Sequence, residues 1–88
     1  MNSLELAAML DVKHSEVIDA FDMFDDQFKK DHSKKVIECR GVISKVVYYL
    51  NDMSDSIIVL ICHHLGRLHK VDEILEEKYN QIFLNSNS

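Results

Sequence analysis

The sequence predicts a mainly helical α+β fold, with a winged helix-turn-helix-like N-terminal part carrying a β-hairpin, followed by two C-terminal helices. Three observations lead there. Apolar residues recur at helical spacing on both sides of a polar break at Asp11-Val12-Lys13, β-branched and aromatic residues flank Arg40-Gly41, and two further helical patterns meet at Gly66.

Ser3 is placed to cap a first helix whose stripe is Leu4, Ala7, Ala8 and Leu10. A second helix is expected from about Ser15, with Glu16 in the first turn, where a carboxylate suits the helix dipole. Val17, Ile18, Phe21, Phe24 and Phe28 define its inner face, and Lys29-Lys30 mark its C-terminal end. Residues 3–30 thus read as a helix-turn-helix-like unit. Ala7 and Ala8 are small enough for two helices to cross, Val12 is an apolar turn residue, and Val17 and Ile18 anchor the second helix. The same pattern is also that of an ordinary helical hairpin, and Asp11 stands where such turns commonly have glycine.

Residues 31–35 read as a polar connector, and 35–50 as a β-hairpin turning at Arg40-Gly41. After a turn over 51–55, a helix is expected over 54–65. Its run at 57–61 is apolar nearly all round, as in a central buried helix. Gly66 reads as a stop or a kink, and the last helix is expected from about Leu68 to Phe83, closing a helical extension over 54–84. Residues 85–88 read as a flexible tail. With 88 residues the chain has material for one core, here 1–84, and a core so small invites subunit association.

Composition narrows the function. Apolar residues make up 47% and charged ones 28%, as in a folded soluble protein. The longest apolar run, residues 57–62, is far short of the ~20 residues that span a bilayer, and the N-terminus has no signal-peptide pattern, so the expected location is the cytoplasm without membrane attachment. Cys39 and Cys62 lack a CxxC spacing and are expected to be buried apolar residues of a reducing compartment. Cys62, His63, His64 and His69 bring metal-ligand types close in sequence. Adjacent helical residues diverge by about 100°, however, so no metal site or other cofactor is expected. There is no Gly-rich phosphate loop, GxSxG or HExxH, and no enzyme activity is expected.

The charge is unevenly placed. All of the net −5 falls in residues 1–33, and the remainder is balanced. Binding to DNA draws on Lys and Arg to neutralise phosphates, which carboxylates repel. The second helix offers Glu16, Asp19, Asp22 and Asp26 before its first lysine, while Lys34, Lys35, Arg40 and Lys45 form a basic wing. The acidic face is therefore expected to meet a basic surface on a protein partner. Val71, Ile74, Leu75, Tyr79, Ile82 and Phe83 form a wide stripe expected to serve homo-oligomerisation, as a dimer or tetramer.

The opening Ser3-Leu-Glu-Leu-Ala, followed by Lys13-His14 and Val17-Ile18, resembles phage Rha-type regulatory proteins. Tyr48-Tyr-Leu-Asn-Asp and the apolar helix after it are similar to that family's Tyr-Leu-Leu-Thr-Arg-Asp segment, so the resemblance covers residues 3–65. It implies a small phage regulator. The acidic second helix departs from a DNA-reading member of that group and points to an antirepressor, which binds a phage-encoded repressor and frees its operator. The alternatives are a winged-helix DNA-binding transcriptional regulator and an acidic inhibitor of a host DNA-binding protein.

Overall fold

The computed structural model describes residues 1–86, with elements in the order α1 (Ser3–Leu10), α2 (His14–Asp22), α3 (Asp26–His32), β1 (Ser33–Arg40), β2 (Ile43–Leu50), α4 (Asp55–His64), a 3-10 turn (Leu68–Lys70) and α5 (Val71–Ser86). The fold is α+β and mainly helical, with a two-stranded antiparallel hairpin between the third and fourth helices.

Asn2, rather than Ser3, caps α1: its side chain accepts from the Glu5 N–H at 3.0 Å. Ser3 is instead fully buried, and its Oγ accepts the Tyr48 N–H at 3.0 Å. The helix ends on Asp11, which adopts the left-handed conformation at φ 56° and ψ 49°. The N–H of Val12 then returns to Ala7 O at 3.1 Å and that of Asp11 to Ala8 O at 3.3 Å, the two bonds of a Schellman ending. An aspartate thus takes the place that glycine usually fills, because its short polar side chain tolerates this backbone.

The second helix is shorter than its apolar stripe suggested. It stops at Asp22, turns through Met23–Asp25 residue by residue, and restarts as α3, because Asp25 accepts the Phe28 N–H at 2.8 Å and caps a new helix. Phe24 of the turn and Phe28 of α3 still pack on the core, with ring centroids 5.1 Å apart. No polar connector follows: α3 runs to His32 and β1 begins at Ser33.

The hairpin pairs Ser33 with Leu50 through to Arg40 with Ile43, leaving Gly41-Val42 as a two-residue loop. Gly41 has φ 62°, which only glycine adopts freely, as a tight hairpin turn requires at its first position. Main-chain pairing of Asn2 with Tyr49, and of the Leu50 N–H with Met1 O at 2.9 Å, lays the N-terminus along the free edge of β2. The core gathers Leu6, Ala7 and Leu10 of α1, Val17, Ala20 and Phe21 of α2, Tyr48 of β2, Ile57, Ile58, Ile61 and Cys62 of α4, and Ile74 of α5. Phe21 and Tyr48 stack with centroids 4.4 Å apart, so the hairpin is held to α2 by an aromatic pair.

The fourth helix is not buried all round. Ile57, Ile58, Ile61 and Cys62 face inward, while Val59 and Leu60 are exposed. It ends at Gly66, φ 69°, with the Arg67 N–H returning to Cys62 O at 2.7 Å. Helix α5 packs back on it through Ile74 and through Lys78, whose ammonium is buried against Asp55. The expected tail at 85–88 begins inside this helix, which runs to Ser86; Asn87 and Ser88 lie outside the described residues.

Candidate functional site

The four acidic residues expected to contact a partner are all exposed, but they do not lie on one helix or share one role. Glu16 turns back along α2 and accepts the Lys13 N–H at 2.9 Å, satisfying one of the amides that the helix start leaves open. Asp22 accepts the Tyr48 hydroxyl at 3.1 Å and lies 3.7 Å from Lys29 Nζ. Asp26 belongs to α3 and stands 3.6 Å from the same ammonium. Among the described residues Asp19 alone of the four makes no hydrogen bond or ion pair, and it stands at the middle of the outward side of α2. The face keeps its negative sign, since α2 contains no Lys or Arg and Lys29 is its one neighbouring cation in an ion pair.

Tyr48 ties this face to the hairpin. Burial, its bond to Asp22 and the negative charge of Asp22 and Asp26 push its hydroxyl up to about 12. The phenol therefore stays a donor over the whole working range of pH. At the other end of α2, His14 Nε2 lies 2.9 Å from Ser3 Oγ, the atom that accepts from Tyr48 N–H. A neutral imidazole suits that arrangement, taking the Ser3 hydroxyl proton while the serine oxygen takes the amide. Burial, and then the charge of Lys45, hold the imidazole below its ordinary value.

The cations expected to form a basic wing lie on the hairpin, with Lys34, Lys35, Arg40 and Lys45 exposed. Register places Lys34, Glu38, Arg40, Lys45 and Tyr49 on one face and Lys35 on the other, so the cations do not form one continuous row. Glu38 lies opposite Lys45 and accepts the Tyr49 hydroxyl at 2.6 Å, which offsets part of the positive charge.

The stripe expected to mediate self-association is divided. Ile74 is completely buried in this chain's own core, and Val71 and Leu75 pack against that core. Ile82 is half-buried, whereas Tyr79 and Phe83 are exposed, the first donating its hydroxyl to Asp55. Ile74 is thus spent within the monomer, because α5 must cover α4 before it can cover a second copy. Cys39 is exposed on the hairpin, against the expectation of burial, because it stands next to the hairpin tip, at the end of the strand away from the core. Cys62 is buried, and burial pushes its thiol up to about 11, a value at which it is inert as a nucleophile. Among the described residues no three His, Cys, Asp or Glu side chains are grouped to hold a metal ion.

Residue spacing did not reveal an apolar concavity of about 220 Å³ between the α2–α3 corner and α4, lined by Ala20, Met23, Phe24, Leu60, His63 and His64. It opens because the chain breaks at Met23 and turns its side chain outward. The signal was Asp25 followed by Phe28 at capping distance, inside a stretch whose apolar spacing read as one helix. Among the described residues no helix is long and apolar enough to cross a membrane. Comparison with protein-family models, with curated proteins and with solved structures finds no match to this chain.

Proposed function

We propose that this chain is a non-catalytic, antirepressor-like regulator that binds a transcriptional repressor and displaces it from its operator. The observation that carries this reading is the outward side of α2, where Ser15, Asp19 and Asp22 stand with no Lys or Arg anywhere in the helix. Read as the second helix of a helix-turn-helix-like pair, α2 presents carboxylates where a DNA reader presents cations, so it suits the basic, DNA-contacting surface of another protein. The resemblance to phage Rha-type proteins agrees in making the partner a phage-encoded repressor. Displacement requires that the protein prefer the repressor off DNA over the repressor on it. Assembly into a dimer or tetramer would raise avidity for a multimeric repressor, and Tyr79 and Phe83 are the exposed part of the α5 stripe that would serve it.

A second reading rests on the hairpin. Its four exposed cations suit phosphate contacts by a wing, as in a DNA-binding regulator. Mobility-shift assays separate the two. An antirepressor leaves operator DNA unshifted at low and moderate salt yet dissolves a preformed repressor–operator complex, and Asp19→Lys with Asp22→Lys weakens that effect. Salt-sensitive binding to DNA alone would instead select the winged-helix reading.

A further inference from the structure

The outward side of α4 is unusual for a solvated helix. Ser56, Val59, Leu60, His63 and His64 are exposed and include no Lys, Arg, Asp or Glu, although 28% of the chain is charged. Val59 is 37% exposed, Leu60 43% and Met23, across the groove, 65%. The concavity under Met23 and Phe24 shares Leu60 with a second one, of about 390 Å³ and lined by Asp55, Ser56, Val59 and Leu60. Together they follow α4 from His64 to Asp55, about 15 Å for ten residues at helical rise.

The α2 wall of this groove is acidic. Asp19 precedes Met23 by one helical turn and makes no hydrogen bond or ion pair among the described residues, so its position on α2 is beside the apolar strip, whereas Glu16, a turn before Ala20, is held on the Lys13 N–H. Neither α2 nor α4 contributes a Lys or Arg. We propose that the groove takes a cationic amphipathic helix of a partner protein, its apolar stripe against Met23, Val59 and Leu60 and its Lys or Arg side chains against Asp19. Charge complementarity selects this occupant over a second copy, whose own α2 would bring Asp19 and its neighbouring carboxylates against like charge. The inference deepens the protein-binding reading of the acidic helix by adding the apolar half of the contact.

The test uses the full chain and a synthetic peptide of about 16 residues, long enough to be helical, with Leu on one face and Lys on both flanks. Amide NMR should place the peptide at Met23, Val59, Leu60 and His63. Binding, read by fluorescence anisotropy, should fall about tenfold for a Glu-flanked peptide and about tenfold for Val59→Ser with Leu60→Ser. Both substituted side chains point outward, so the circular dichroism and melting curve of the variant should stay in place. Equal binding of the two peptides, or binding untouched by the double substitution, overturns the proposal. So does a dimer in light scattering that the same substitutions disperse, since the occupant is then a second copy. Repressor displacement distinguishes this failure from that of the antirepressor reading. Wild type that holds the Lys peptide in the groove but leaves repressor on its operator defeats the reading alone. Displacement undiminished by Val59→Ser with Leu60→Ser defeats the groove alone.

Discussion

The Tyr48 hydroxyl donates to Asp22 at 3.1 Å, while its ring lies flat on Phe21, so one side chain of β2 sets the position of the acidic helix twice over. Tyr48→Phe keeps the stack and deletes the bond. It should cost about 1 kcal/mol, read as a lower urea midpoint at unchanged m-value. The folded-state Tyr48 pKa of about 12 exceeds the ordinary 10, so the protonated phenol favours the fold. Its contribution is complete below pH 10 and is lost as pH rises towards 12; the Phe variant should show a shallower alkaline decline.

Lys78 of α5 is 2% exposed, donates to Asp52 O at 2.9 Å and pairs with Asp55, which also receives the Tyr79 hydroxyl. The two partners are unequally buried. Removing Asp55 strands an ammonium inside the protein, whereas removing Lys78 leaves a carboxylate that remains partly in water. Asp55→Ala should therefore destabilise by about 3 kcal/mol and Lys78→Met by distinctly less. Chemical denaturation of both variants checks the order, and a larger loss for Lys78→Met would contradict it.

Asp55 also gives an acid limb. Its bonds to Lys78 and Tyr79 and the charge of Lys78 hold its carboxyl below 3.8, against a smaller opposing effect of burial. The stabilisation is present above that value and is lost as pH falls through the folded-state pKa. Stability measured from pH 5 downward should decline less steeply in Asp55→Ala than in the wild type.

Near neutrality the group to watch is His14. Its pKa is depressed below 6.5, so the fold prefers the imidazole without its proton. Stability is full above pH 6.5 and declines as pH falls below it, until the folded-state pKa is reached. His14→Gln should flatten the denaturation midpoint between pH 7 and 5. Lys45→Met should flatten it partly, since burial is the larger cause and the lysine charge the smaller.

Asp11 holds the left-handed backbone at φ 56° between α1 and α2. Asp11→Gly should stabilise by about 0.5–1 kcal/mol and raise the melting temperature by several degrees, because glycine enters that region without a Cβ clash. A drop in melting temperature would show that the aspartate makes up the backbone cost by some other contact.

Legible in the amino-acid order were the class of the fold, the place of the hairpin between N-terminal and C-terminal helices, and the sign of the charged helix. Those depend on local properties: apolar spacing along α1, α2, α4 and α5, the Gly41 turn, the Gly66 stop, and carboxylates gathered in residues 1–33. How those pieces were used depended on packing between elements. Ser3 left the cap to Asn2 and entered the core, because the Tyr48 amide needed an acceptor there. Asp25 broke an apolar stripe into two helices, since a cap and a turn allow Phe24 and Phe28 to reach the core at a different angle. Helix α5 covered one side of α4, consuming Ile74, and left Val59 and Leu60 outside. Periodicity marks which residues are apolar, but which of them meet water is settled only when one element's face is covered by another.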